Sequence, residues 1–270
     1  MTDKPSYYLI LSNTDDLVLT RLAEILCQAL GIPRLDATTR VKRFWGLLHK
    51  TGNLDKAEEL KRTFDEAGIA TFILPASQLT ALPSPRVFRK AVPEPQGLSF
   101  QHAGESGSLP WDRVVLLCAG QIGETEKVTK NLPRDGKARK WLVRTGISLT
   151  TAVAVTYERS KKRQVTKERT TSSFYLDIIT RDTSKSVRII GETFDYTYLA
   201  ERMQQNVLFN FKNLVKDVTG FLPDVIRNRG LRAMETEPTM RNVVYESAKD
   251  FETEKLWLAQ LHKRDAGSSL

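Results

Sequence analysis

The chain has 270 residues, 40% of them hydrophobic and 27% charged, the composition of a globular protein of one or two domains. No apolar run approaches the ~20 residues of a membrane-spanning helix, and Met1-Thr2-Asp3-Lys4-Pro5 lacks the basic-then-apolar pattern of a signal peptide. Two cysteines, Cys27 and Cys118, and three dispersed histidines exclude a disulfide framework or a zinc cluster of ordinary spacing, so the expectation is a cytoplasmic protein with no metal and no cofactor.

Tyr7-Tyr8-Leu9-Ile10-Leu11 is an apolar run bounded by Ser12-Asn13-Thr14-Asp15 and reads as a buried strand. Leu19, Leu22, Ala23, Leu26 and Leu30 then recur at helical spacing, with Asp15-Asp16 placed to complement the helix N-terminus and Gly31 to end it. Pro33 suits the first turn of a short helix reaching about Arg43. Phe44-Trp45-Gly46-Leu47-Leu48 reads as a second strand. Asn53 or Asp55 caps a helix over Lys56–Ala67, and Ala70–Leu74 is a third strand stopped by Pro75. The expected order over residues 6–75 is βααβαβ.

Within that module, Gly46-Leu47-Leu48-His49-Lys50-Thr51-Gly52-Asn53-Leu54-Asp55-Lys56-Ala57-Glu58-Glu59-Leu60-Lys61, ending in Glu66-Ala67-Gly68-Ile69, resembles the C-terminal domain of the bacterial ribosomal stalk protein. The Clp protease adaptor is similar in fold. Phe44 and Trp45 depart from the stalk domain, which is smaller and more polar there. The resemblance implies a protein-docking module over residues 1–80, with no ribosomal role.

Residues 81–108 hold Pro83, Pro85, Pro93 and Pro95 and turn rich in Gly and Ser from Gln96, so they read as a linker. From Leu109 the pattern becomes β-rich. Val114–Cys118 is apolar on both faces. Phe174, Leu176 and Ile178 alternate along a strand that turns at Thr180–Lys185 and returns through Ser186–Ile190. A helix follows over Val207–Thr219 with Leu208, Phe211, Leu214, Val215 and Val218 on one stripe. The run from Leu109-Pro110-Trp111-Asp112 through Phe174-Tyr175-Leu176-Asp177 to that helix resembles bacterial pleckstrin-homology-like (PH-like) domains. It implies, over 109–222, an antiparallel β-barrel or sandwich closed by a helix that binds peptides, proteins or phospholipid headgroups. Residues 223–270 form an extension with an amphipathic helix over Met240–His262, which packs on its own chain or docks on another. The fold class expected is therefore α+β.

Charge carries the main functional signal. The whole chain is +9, but residues 127–169 hold thirteen basic residues against three acidic, a net of +10, while the other 227 hold 28 basic and 29 acidic, a net of −1. Two clusters flank the uncharged stretch 145–157. Lys137, Arg139, Lys140, Arg144, Arg159, Lys161, Lys162, Arg163, Lys167 and Arg169 are the candidate anion- or partner-binding residues. The plain alternative is a solvated β-hairpin with basic arms.

Catalytic patterns do not stand out. Leu48-His49-Lys50-Thr51 has a Lys-Thr pair without the glycines of a phosphate loop, and Gly104-Glu105-Ser106-Gly107-Ser108 falls short of a nucleophile elbow. The expected function is a non-enzymatic protein-binding or scaffold protein, peripheral to a membrane or larger assembly. Its expected partner is a protein, with anionic lipid through 127–169 as a further one. The alternative is nucleic-acid binding through the same segment, with Trp141 and Tyr157 to stack on bases.

Overall fold

A computed structural model of the chain describes residues 5–15, 18–79, 81–102, 104–131, 154–156, 164–236 and 244–267; over 124–131, 154–156 and 164–171 it describes the backbone path alone. Strand β1 (Tyr7–Leu11) leads into helices α1 (Leu19–Leu30) and α2 (Arg34–Phe44), strand β2 (Leu47–Thr51), helix α3 (Leu54–Glu66) and strand β3 (Thr71–Pro75). β1 lies between the other two strands and is antiparallel to both, with Leu9 opposite His49 on one side and Ile73 on the other. β2 and β3 therefore run parallel, and α3 carries the chain between them, burying Ala57, Leu60 and Phe64.

Local chemistry sets these boundaries. Gly31 caps α1 at φ +61°. Asn53 caps α3 by accepting from the backbone N–H groups of Asp55 and Lys56. Val18 holds the N-cap position of α1 with no side-chain cap, the first turn has no acidic residue, and Asp16 of the expected Asp15-Asp16 pair lies outside the described residues. The strand expected over Phe44–Leu48 starts later. Phe44 closes α2, Trp45 turns at φ +48°, and β2 opens at Leu47. A five-residue apolar run cannot by itself separate a helix end from a strand start.

Residues 81–108, expected as a linker, are largely strand: β4 (Arg86–Phe88), β5 (Lys90–Glu94), β6 (Gly97–His102) and β7 (Glu105–Pro110). The last three form an antiparallel meander in which Leu98 pairs with Pro93 and Leu109. Gly97 belongs to its packing, because a Cβ there would lie 2.4 Å from the Leu109 carbonyl oxygen. Phe88, Ala91, Leu98 and Leu109 are buried. A few well-spaced apolar residues outweigh a composition typical of loops.

The central sheet has the order β12-β8-β10-β11-β4, formed by β8 (Val114–Asn131), β10 (Gln164–Thr180), β11 (Val187–Ile190), β12 (Ile226–Arg227) and β4. β13 (Val244–Tyr245) also pairs with β8, and β9 (Ala154–Thr156) with β10. β10 and β11 make the expected hairpin, with Leu176 opposite Ile189. β4 is parallel to β11, and β12 and β13 are parallel to β8. The protein is thus mixed α+β, with three sheets among the described residues. Among the described residues none closes into a barrel: where an antiparallel barrel or sandwich was expected over 109–222, the sheet is open and of mixed direction.

The chain divides into two compact units, Met1–Ile122 with Phe174–Leu270, and Gly123–Ser173. The boundaries expected at 80, 108 and 222 all fall inside the first unit. Strand alternation explains this, since both faces of the sheet are apolar. Leu116, Cys118, Ile122 and Ile179 join the core made by β1, α1–α3 and α6 (Ala248–Gly267). Leu117, Ala119, Leu176, Ile178 and Ile189 join a second core with Phe88, Leu98, Leu109 and the buried residues of α4 (Val207–Gly220) and α5 (Arg229–Thr236). The final helix is therefore core rather than extension. Trp257 is fully buried and its indole N–H donates to the Leu11 carbonyl at 2.9 Å. Gly46 makes room for that indole: a Cβ there would lie 1.9 Å from the Trp257 ring. In the second unit, Gln164–Thr166 of β10 pair antiparallel with Ala154–Thr156.

Candidate functional site

Eight of the ten candidate residues, Lys137, Arg139, Lys140, Arg144, Arg159, Lys161, Lys162 and Arg163, lie outside the described residues. Lys167 and Arg169 fall on the β10 backbone, and their side chains lie outside as well. In the first unit the structure brings together two polar groupings that the sequence reading did not single out.

The first is a buried ion network. Asp177 stands opposite Arg188 in the β10–β11 register, and Lys255 and Glu252 project from α6. Arg188 donates through Nε and Nη2 to the two Asp177 carboxylate oxygens at 2.7 and 2.6 Å. Lys255 Nζ donates to Asp177 Oδ2 at 2.7 Å. Glu252 bridges both cations on the outer side. Asp177 and Lys255 are 0% and 1% exposed, and Arg188 is 14% exposed. Burial opposes the Arg188 charge, but the hydrogen bonds and charge of Asp177, then those of Glu252, outweigh it and hold its pKa above the ordinary value. Two cations meet two carboxylates, so the network closes on itself and fastens the hairpin to α6.

The second grouping surrounds Tyr245. Its hydroxyl donates to buried Glu254 and accepts from Asn228 Nδ2 at 2.8 Å. Glu254 also accepts from the Arg229 backbone N–H at 2.9 Å. Burial raises the Glu254 carboxyl above its usual range, although Tyr245 and Arg229 pull it down. Burial, followed by the Glu254 charge, raises the Tyr245 phenol well above its usual value. These groups are held proton-bearing or hydrogen-bonded, not activated. Cys118, wholly buried in β8, is likewise pushed up by burial and stays a thiol.

Beside Tyr245 lies a cavity of about 180 Å³ whose walls include Lys42, Arg43, Trp45 and Arg229. The Arg229 guanidinium stacks over the Trp45 ring at 4.3 Å and the Tyr245 ring at 5.4 Å. Larger recesses of about 480 and 360 Å³ share Val115, Arg181 and His262. Among the described residues no group of three or more His, Cys, Asp or Glu could hold a metal ion, and no helix is long and apolar enough to cross a membrane.

Signals for the ion network exist in the sequence. Asp177 interrupts the Tyr175, Ile179 face of an apolar strand, and Lys255 sits between Phe251 and Leu258 on the buried stripe of its helix. A charge on an apolar face marks a buried partner. Comparisons with family models, with characterised proteins and with solved structures give no match to this chain.

Proposed function

We propose that this chain is a non-enzymatic cytoplasmic binding or scaffold protein that meets an anionic surface through residues 127–169, peripheral to a membrane or larger assembly. The observation that carries the reading is charge segregation: +10 within those 43 residues and −1 in all the rest. A single-sign field of this kind attracts phosphate-bearing or acidic partners over a Debye length. The strand and helix order of residues 7–75 supports a docking role for that part of the chain. The packing of α4 on the β8–β10–β11 sheet supports the PH-like part of the reading in its helix-on-sheet aspect alone.

The test is flotation of the full chain with vesicles of zwitterionic lipid alone and with added anionic lipid. Wild type is expected to float only with the anionic vesicles, and Lys161→Glu/Lys162→Glu/Arg163→Glu to stay behind. At about 1 kcal/mol per basic residue near an anionic surface, three reversals remove roughly 3 kcal/mol, more than a hundredfold in partition. Equal behaviour of the two proteins overturns the lipid reading. Nucleic acid is the second reading, favoured by Trp141 and Tyr157 among the basic residues. A steep salt dependence of binding to single-stranded DNA or RNA, with no flotation, selects it.

A further inference from the structure

The cavity of about 480 Å³ lies where the end of the β10–β11 hairpin meets the last turns of α6. Ala259, His262, Lys263 and Ala266 follow one another there at i, i+3, i+4 and i+7, so all four share one face of the helix. Two of the four are alanines, and the space that longer side chains would fill stays open. Val115 of β8 and Ile179 of β10 complete the apolar lining. The volume falls within the ~300–1,000 Å³ of small-molecule sites, which pair an apolar lining with a few polar groups.

Its polar groups are one-sided. Arg181 and Lys263 come from different elements, are both exposed, and make no ion pair among the described residues. The His262 imidazole and the Thr183 hydroxyl have no hydrogen-bond partner among them either. The Thr180 hydroxyl is spent on the Asp182 carbonyl. No carboxylate lines the cavity. The two nearest in the chain are engaged: Asp182 accepts from the Ser184 hydroxyl at 2.7 Å, and Asp265 from Arg264 at 2.8 Å. The neighbouring recess of about 360 Å³ does carry a carboxylate, Asp224, so the larger cavity is the one suited to an anion.

We infer that this cavity binds a small amphiphilic anion, with a carboxylate or phosphate head against Arg181 and Lys263 and an apolar body against Val115, Ile179 and Ala259. Exposure sets its direction. Ile179 and Ala259 are buried while the two cations are exposed, so the head sits at the mouth and the body points inward. Arg181 and Lys263 give the head charge-assisted hydrogen bonds, and His262 and Thr183 are placed to add neutral ones. The site uses none of residues 127–169.

The experiment is an NMR titration of the full chain at constant pH with octanoate, with octyl phosphate in a second arm, and with octanol as the neutral counterpart. It follows the ring signals of the three histidines, and His262→Gln identifies that of His262. The expected result is a saturable shift of the His262 signal with one or both anions, at concentrations about tenfold below those octanol needs. The arm that saturates first separates a carboxylate head from a phosphate. Arg181→Ala/Lys263→Ala alters exposed side chains only, and it should weaken the anion response about tenfold while leaving that to octanol unchanged. Ala266→Phe, also at an exposed position, fills the cavity and should abolish both responses. A His262 signal unmoved by either anion overturns the inference, as do equal affinity for octanol and a double variant that binds like wild type. Anion binding that shifts other signals only, as the cationic segment would give, overturns this site as well.

Discussion

Replacing Asp177 by Asn tests whether the buried ion network holds the hairpin to the last helix. The carboxylate is completely buried and accepts three charge-assisted bonds at 2.6–2.7 Å, two from Arg188 and one from Lys255. Asn keeps the shape and one acceptor but removes the charge. Lys255, 1% exposed, and Arg188, 14% exposed, are then left to share Glu252, which is 42% exposed and screened by water. Breaking a buried pair by removing one partner costs about 3–5 kcal/mol, chiefly the uncompensated charge left behind. For a chain of this size that is a fall of roughly 6–20 °C in Tm. Urea unfolding followed by far-UV circular dichroism measures it. The same logic sets the sign of a double-mutant cycle. Adding Lys255→Met to Asp177→Asn removes one stranded cation, so the double variant should be less damaged than the two single losses added, by about 0.5–3 kcal/mol. A single variant within about 0.5 kcal/mol of wild type, or strict additivity, refutes the reasoning.

Gly46→Ala places a Cβ 1.9 Å from a Trp257 ring that is itself fixed to the Leu11 carbonyl, so a loss at or above about 1–3 kcal/mol is expected in thermal unfolding. Asn53→Ala removes the cap of α3 and should cost about 0.5–2 kcal/mol, read as a lower urea midpoint with an unchanged slope. Burial, then the Arg40 charge, lowers the His49 pKa below 6.5. The unfolded chain therefore binds the proton more readily. This contribution is fully present above pH 6.5 and is lost as pH falls through the folded-state value. His49→Gln should flatten the fall in stability on acidification below pH 6.5, and an unchanged pH profile would count against that account.

What the sequence made legible was local. The alternation of Phe174, Leu176 and Ile178 located the β10–β11 hairpin and its turn, and the stripe from Phe211 to Val218 located α4. Asn53 and Gly31 marked helix ends because capping depends on neighbouring backbone groups only. What escaped depends on distant partners. Leu98 and Leu109 turn a Pro- and Gly-rich stretch into a meander only because a sheet face and α4 lie against them. Val114–Cys118 was read as apolar on both faces, yet nothing local tells which segment covers each face. The ion network was missed for the same reason: Asp177 and Lys255 are 78 residues apart in the chain.

The contact between Leu11 and Trp257 joins positions 246 residues apart, so the first strand is sealed by the last helix. During synthesis β1, α1 and α2 emerge long before the helix that packs against α2 and β2 has been made. Native pairing at such separation is slow, and the waiting surface is apolar. The emerging polypeptide should therefore depend on chaperone protection until α6 leaves the ribosome.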